Sequence, residues 1–208
     1  SYLERIQVDG RWIPEEKFAD LTERVRDAIA RMEAAGEHSP TVFEAETAIA
    51  FLYFKEMQCH LVVLEAGLGG ELDATNIVRN TVCAVFTSIS RDHIGVLGNT
   101  LEEIAENKAG IIKPGCSVVS AAQKPEVTAI LRARAEKLGL EFVQAGCASI
   151  IGEDYRGIRF PYKELGELYS PLAGKSQIMN VAAALEVIRT LHGKGYRIDP
   201  DAVRSGVA

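Results

Sequence analysis

The chain has 208 residues, of which 47% are hydrophobic and 25% are charged, and its net charge is -6. This composition is typical of a soluble folded protein and excludes a disordered chain. The acidic balance argues against a nucleic-acid-binding protein, and no apolar run approaches the roughly 20 residues that cross a bilayer. We therefore expect a single domain over residues 1–208, a cytoplasmic location, and neither a nucleic-acid nor a membrane partner.

The first elements of the chain are predicted to be a hairpin and two helices. Residues 4–8 alternate as a strand does, Asp9-Gly10 is a short-turn signal, and RWI supplies the returning strand. Apolar residues then recur every three or four positions from Pro14 to Ala35, which predicts an amphipathic helix. Thr41 and Glu44 have the spacing of a capping box and start the second helix.

Apolar runs alternate with helical patterns in the rest of the chain. HLVVLEA at 60–66 and TVCAVFTSI at 81–89 are continuous and Val-rich, which predicts strands covered on both faces. The further predicted elements are a helix from Thr100, a strand at 117–121, a helix at 125–138, a strand at 141–143, edge β-structure at 150–170, a helix at 176–192 and a short helix from Asp199. This alternation predicts an α/β fold, with a mostly parallel sheet flanked by helices.

The four cysteines lie about thirty residues apart and form no CxxC pair. This spacing predicts separate reduced thiols rather than a disulfide framework or a metal site. They are Cys59, Cys83, Cys116 and Cys147.

Candidate site residues follow the predicted strands, because ligands of open α/β sheets bind at the carboxyl ends of the strands. Glu65 ends one apolar run, His93 follows the next, and Lys108 lies late in the helix after it. A glutamate and a nearby imidazole could offer two ligands to a hard cation. From the residues alone, an ion-paired strand end explains Glu65 equally well. A hydrogen-bonded loop histidine and a solvated helix lysine are the better explanations of His93 and Lys108.

The glycines of AGLGG permit a tight turn and a close approach of the backbone to a ligand. They are Gly67, Gly69 and Gly70. The signal is weak, because GLGG lacks the spacing of a dinucleotide fingerprint and no GxxxxGK[ST] motif occurs in the chain. The sequence therefore shows no phosphate-binding loop of its own.

Three strings together resemble one protein family: LEAGLGGELDATN, TSISRDHIGVLGNTLEEIAENKAGIIKPG and LAGKSQIMNVAAAL. They look like the signature blocks of the folylpolyglutamate synthase and dihydrofolate synthase family, relatives of the Mur ligases. The resemblance implies a three-layer, P-loop NTPase-like central ATPase domain. It also implies that this chain is an excised piece, lacking both the N-terminal P-loop strand and a C-terminal glutamate-binding domain.

The resemblance assigns a metal site and a nucleotide site. Glu65 and His93 match the family's magnesium ligands, and Lys108 matches its carbamylated lysine, so these three are the predicted catalytic residues. CO₂ converts a cationic amine into an anionic oxygen ligand, which suits Mg²⁺. Gln177 and Asn180 match positions near the adenine, although helix-cap and surface roles explain them equally well.

Other motif residues have an open choice between contact and structure. Asp73, Thr75 and Asn76 lie in the family's loop motif, where a structural turn is as good an explanation as ligand contact. With Gly69 and Gly70, Asp73 and Asn76 are predicted to bind the cofactor. Glu44 either lines the folate side or only caps its helix.

Two positions depart from the family pattern and put a phosphate-side charge and a nucleotide contact in doubt. Glu71 stands where arginine is usual, and Ser176 stands where histidine is usual.

The implied activity is that of an ATP-dependent amide ligase. ATP phosphorylates a folate or dihydropteroate carboxylate, and L-glutamate then displaces phosphate from the acyl phosphate, with ATP and Mg²⁺ as cofactors. We expect the parent protein to be a monomer, and the piece to be inactive alone and able to self-associate. The alternatives are a non-catalytic module that associates through a sheet edge, or a Mur-type ligase acting on a peptidoglycan precursor.

Overall fold

The computed structural model describes residues 2–91, 95–146, 149–172 and 174–208. It divides into two compact units. The first unit comprises Ser1–Leu68 and Leu72–Ile77, and the second comprises Gly69–Glu71 and Val78–Ala208. That residues 1–208 form a single domain stays a prediction.

The first unit is a hairpin followed by two helices, as predicted. Strands β1 (Gln7–Val8) and β2 (Arg11–Trp12) pair antiparallel around Asp9-Gly10, whose φ angles of 51° and 72° suit a two-residue turn. The predicted strand at residues 4–8 is wrong in its first half, where Leu3–Arg5 is a 3₁₀ turn. β2 is only two residues long, so it offers no partner to residues 4 and 5.

Helices α1 (Glu15–Ala34) and α2 (Val42–Glu56) complete this unit. The predicted capping box of α2 is present, with the Thr41 side chain accepting from the Glu44 amide and the Glu44 carboxylate accepting from the Thr41 amide. The apolar stripes of the two helices pack together with the hairpin. The buried side chains of this core are Ile6, Ile13, Leu21, Val25, Ile49 and Tyr53.

The second unit contains the parallel sheet. Its strands are β3 (Cys83–Phe86), β4 (Ser117–Ser120) and β5 (Phe142–Gln144), in that spatial order. Helix α3 (Leu101–Ala109) connects β3 to β4, and helix α4 (Pro125–Lys137) connects β4 to β5. The Thr100–Glu103 capping box that starts α3 is present as predicted. Both helices pack against the sheet through a continuous apolar core.

A second sheet follows along the chain and is antiparallel. It contains β6 (Gly152–Asp154), β7 (Gly157–Pro161) and β8 (Glu167–Ser170). Helices α5 (Lys175–Gly193) and α6 (Pro200–Val207) share a core with it. The segment predicted as edge structure is thus a sheet with its own core. The predicted α/β class, with a parallel sheet flanked by helices, is confirmed.

The predicted buried strand at 60–66 is wrong. Residues 61–66 have no regular secondary structure, and the side chains of Leu61 and Val63 are 44% and 92% exposed. A strand covered on both faces needs neighbouring strands, and none of the strands in the described ranges pairs with this segment. An apolar run indicates that a segment tends to be buried, but it does not identify the strand or helix that would cover it.

No helix in the described part of the chain is both long and apolar enough to cross a bilayer.

Candidate functional site

The carboxyl ends of β3 and β4 are joined by one side chain that the sequence did not single out. Gln123 lies three residues beyond the end of β4. Its Oε1 accepts a hydrogen bond from the Ile89 amide at 2.9 Å, and its Nε2 donates to the Thr87 carbonyl at 2.6 Å. Its place just after a strand was the available signal, because that edge of an open α/β sheet is where ligands bind.

The glycine-rich loop packs directly on the last turn of α3. The Glu71 amide donates to the Asn107 carbonyl at 3.0 Å. A Cβ on Gly70 would lie 2.8 Å from the Asn107 carbonyl oxygen and from the Cα and carbonyl oxygen of Lys108. A Cβ on Gly110 would lie 2.4 Å from the Glu71 Cβ. The two backbones approach as closely as they do because both partners contribute a glycine.

This packing changes how the glycines are interpreted. Gly69 has a φ of +76°, and a Cβ there would meet the Asn107 Oδ1 atom at 2.5 Å and the Leu97 side chain at 2.8 Å. The close approach expected of Gly69 and Gly70 is therefore an approach to the protein itself. Their role in cofactor binding stays a prediction.

The next loop is held by the carboxylate of Asp73, which is 8% exposed. Its Oδ2 accepts from the Leu68 amide at 2.8 Å, and its Oδ1 accepts from the Thr75 amide at 2.9 Å and the Thr75 hydroxyl at 2.6 Å. Burial alone would raise the pKa of Asp73, but these bonds and one from the Gly67 amide outweigh it, so the pKa lies below its ordinary value. The structure shows the structural turn for Asp73, and its contact with the cofactor stays a prediction.

Two other motif residues, Asn76 and Glu44, also have structural roles. The backbone N–H of Asn76 donates to the Asp73 carbonyl at 2.9 Å, at the 3₁₀ turn Ala74–Ile77. The Glu44 carboxylate accepts from the Thr41 amide at 2.7 Å, so the capping role of Glu44 is confirmed. Cofactor contact by Asn76 and folate contact by Glu44 stay predictions.

Two of the three predicted metal ligands, Glu65 and Lys108, lie within the described residues. Glu65 is exposed and belongs to the first unit, whereas Lys108 is half-buried in the last turn of α3 in the second unit. His93 lies outside the described residues, as does Asp92 beside it. Their convergence stays a prediction. Among the residues that the structure describes, no group of three His, Cys, Asp or Glu side chains could hold a metal ion.

One polar atom beside Lys108 lacks a partner within the described ranges. Asn107 Oδ1 is buried and accepts no hydrogen bond. A Cβ at position 69 would lie 2.5 Å from this atom, so the glycine there avoids a clash with it. Buried acceptors are normally satisfied, so this one is an exception among the described residues.

The two residues predicted to lie near adenine are neighbours at the start of α5. Asn180 Nδ2 donates to Gln177 Oε1 at 3.4 Å, and Asn180 is exposed while Gln177 is half-buried. The Glu153 carboxylate accepts from the Gly174 amide at 3.2 Å, just before the helix begins. Ser176, the position that departs from the family, is exposed in the same first turn.

The cysteines behave as separate thiols. Cys59, Cys83 and Cys116 are free, whereas Cys147 lies outside the described residues. Burial raises the pKa of the Cys83 thiol to about 11, so this thiol is protonated at neutral pH and is not a nucleophile.

These features define an α/β domain that presents the carboxyl edge of a parallel sheet. Its glycine-rich loop packs on α3, the helix that follows β3. The Mur ligase middle domain matches residues 21–188. The dihydrofolate synthase/folylpolyglutamate synthase of Bacillus subtilis (strain 168) is 35% identical over 100% of this chain and 50% of its own length.

Solved structures agree with these matches. The folylpolyglutamate synthase of Thermotoga maritima is 30% identical, with a TM-score of 0.88 over 100% of this chain and 48% of that chain. An FPGS complex with AMPPCP and folate is 28% identical, with a TM-score of 0.91 over 100% of this chain and 53% of that chain. The chain belongs to the Mur ligase middle-domain family. The predicted resemblance to folylpolyglutamate and dihydrofolate synthases is confirmed, and the chain spans about half the length of the curated relatives it matches.

Replacing Gly70 by alanine should destabilise the second unit, because the new Cβ would lie 2.8 Å from three backbone atoms of α3. We expect a loss of about 1–3 kcal/mol in the free energy of unfolding, measured by urea denaturation. Gly193→Ala is the matched control, since a Cβ there meets nothing within 4 Å. If Gly70→Ala unfolds at the same urea concentration as the parent, the loop does not pack on α3 as described.

Asp73→Asn should lower the free energy of unfolding at neutral pH by about 1.5–3 kcal/mol, because an amide cannot accept all the bonds that the carboxylate accepts. The folded-state pKa of Asp73 lies below the ordinary value of 3.8. Its stabilisation is therefore present above that value and is lost as pH falls through the folded-state pKa. The gap between parent and variant should shrink below about pH 4.

Denaturation across a pH series checks this expectation, with the exposed Asp27→Asn on α1 as control. A gap that stays constant from neutral pH to pH 2 would show that ionised Asp73 does not hold the loop.

Proposed function

We propose that the complete gene product is an ATP-dependent amide ligase that adds L-glutamate to folate or dihydropteroate. The observation that carries this proposal is the alignment of the whole chain, at a TM-score of 0.91, with an FPGS complex that contains both AMPPCP and folate. The relative in Bacillus subtilis supports the same chemistry by name. The relatives are folate enzymes, which favours this substrate class over a peptidoglycan precursor.

The proposed reaction has two steps. A carboxylate resists attack by an amine, so ATP first phosphorylates the folate carboxylate to an acyl phosphate and ADP is released. The amine of L-glutamate then attacks the acyl carbon, and inorganic phosphate leaves from the tetrahedral intermediate. Binding groups that stabilise the charge on the transferring phosphoryl group contribute most to such a reaction.

Glu65, His93 and carbamylated Lys108 would hold Mg²⁺. A carboxylate, an imidazole and a carbamate suit a divalent cation. When bound, Mg²⁺ supplies positive charge that offsets the charge of the phosphates. The contact between Gly70 and the backbone of Lys108 supports this assignment, because it fixes the turn that carries the lysine.

The nucleotide is assigned to the first turn of α5 and the glycine-rich loop. Gln177 and Asn180 would contact the adenine through the amide groups that now bond to each other. Gly69, Gly70 and Asn76 would lie beside the phosphates. Asp73 would support the site by holding this loop, because its carboxylate accepts hydrogen bonds from Leu68 and Thr75.

The proposed partners are small molecules alone: ATP, L-glutamate and folate or dihydropteroate. The net charge of -6 supports the expectation that nucleic acid is not a partner. A monomer in the cytoplasm is part of the same proposal.

A second candidate role is a non-catalytic module that self-associates. It is favoured by the exposed apolar residues of the segment 61–63 and by β3, an edge strand whose Val85 is 38% exposed. Calorimetry with MgATP separates the two roles. Binding by the complete gene product but not by the 208-residue chain would assign the second role to the chain and leave the ligase proposal for the whole protein intact.

Glu65→Ala in the complete gene product should reduce MgATP-dependent incorporation of labelled glutamate by at least about 100-fold, because the cation loses a carboxylate ligand. Glu126→Ala, an exposed glutamate in the first turn of α4, is the control and should retain full turnover. Thermal melting of both variants shows whether folding is intact. Unchanged turnover in Glu65→Ala would refute the role given to Glu65.

A further inference from the structure

The pairing of β3 with β4 stops at the point where the two chains diverge. The last registered pair is Phe86 with Ser120, and the Ala121 amide still donates to the Phe86 carbonyl at 2.8 Å. Beyond this pair, the backbone at residues 87–89 is bonded to the Gln123 side chain, which follows β4 in the sequence. Residues 87–89 precede positions 92 and 93 in the sequence.

The Gln123 amide reproduces one rung of a parallel ladder. In the regular part of the sheet, the Ser117 amide donates to the Val82 carbonyl at 3.0 Å, as one rung of the β3–β4 pairing. In a parallel ladder a residue donates to one partner residue and accepts from the residue two positions further along. Gln123 donates to Thr87 and accepts from Ile89, which is the same two-residue spacing.

The Gln123 side chain also bonds to Ser120, the last residue of β4. Gln123 Nε2 also donates to Ser120 Oγ at 3.2 Å, and that hydroxyl donates to the Ala121 carbonyl at 2.9 Å. Ser120 is fully buried, and Ile89 is 7% exposed within the core of the parallel sheet. The same nitrogen of Gln123 therefore bonds both to the Ser120 hydroxyl and to the Thr87 carbonyl.

Only a primary amide of this length satisfies the arrangement. Glutamate would keep the acceptor for Ile89 but would place a carboxylate oxygen against the Thr87 carbonyl, which needs a donor. Methionine has nearly the same shape but provides neither bond.

We propose that Gln123 is a positioning residue that extends the β3–β4 ladder past both strands and fixes the course of residues 87–89. This segment leads in sequence to His93, so the inference rests on the proposed function for its catalytic consequence. Gln123 itself is not assigned a contact with substrate or metal. By holding residues 87–89, it sets where the chain enters the segment that carries the predicted imidazole ligand.

The test compares Gln123→Met with Ser120→Ala in the complete gene product. Hydrogen–deuterium exchange of peptides covering residues 87–89 should be on the order of tenfold faster in Gln123→Met, because two backbone bonds are lost. The affinity for Mn²⁺, followed by electron paramagnetic resonance, should fall by a similar factor. Ser120→Ala keeps both backbone bonds, so its exchange rates and Mn²⁺ affinity should stay within about twofold of the parent.

Gln123→Glu is the second variant if the methionine variant does not fold. It loses only the bond to the Thr87 carbonyl, so its losses should be in the same direction and smaller. Unchanged exchange at residues 87–89 in the folded variants would overturn the proposal. Faster exchange with unchanged Mn²⁺ affinity would overturn the positioning role. A parent protein that neither binds Mn²⁺ nor incorporates glutamate would instead refute the proposed function, and the positioning role would fall with it.

Discussion

The rest of the candidate site depends on the contact between the glycine-rich loop and the last turn of α3. Gly70 lies against the backbone of Lys108, and Gly110 lies against Glu71, so neither backbone can move away without losing the bond from the Glu71 amide to Asn107. Helix α3 is in turn fixed to the parallel sheet by its buried apolar face. The contact therefore ties the loop and the lysine to one rigid element.

Two loops of the described chain are each held by a single polar side chain. Asp73 accepts three backbone or hydroxyl hydrogen bonds in one loop, and Gln123 satisfies two backbone groups beyond the end of β3. In both places a buried or half-buried polar side chain satisfies backbone groups, which avoids the cost of leaving them unpaired. Asp73 and Gln123 therefore fix the course of the backbone around them.

Features with a local cause could be predicted from the sequence. The capping boxes at Thr41 and Thr100 involve residues three apart, and the Asp9-Gly10 turn needs only its own φ angles, so short sequence windows contain their causes. The segment 61–66 was predicted wrongly because its burial depends on a partner strand that apolar composition does not reveal. Gln123 was missed because the backbone it holds lies 34 residues earlier in the chain. The predicted metal ligands were assigned from resemblance and not from periodicity, since nothing local distinguishes Lys108 from any other lysine on a helix.

The most direct test of the metal assignment is anomalous diffraction from crystals of the complete gene product grown with Mn²⁺ and AMPPCP. The account predicts an anomalous peak at about 2.0–2.2 Å from ligand atoms of Glu65 and His93 and from a carbamate oxygen on Lys108. A structure with an unmodified Lys108 and a metal peak bonded to neither Glu65 nor His93 would contradict it.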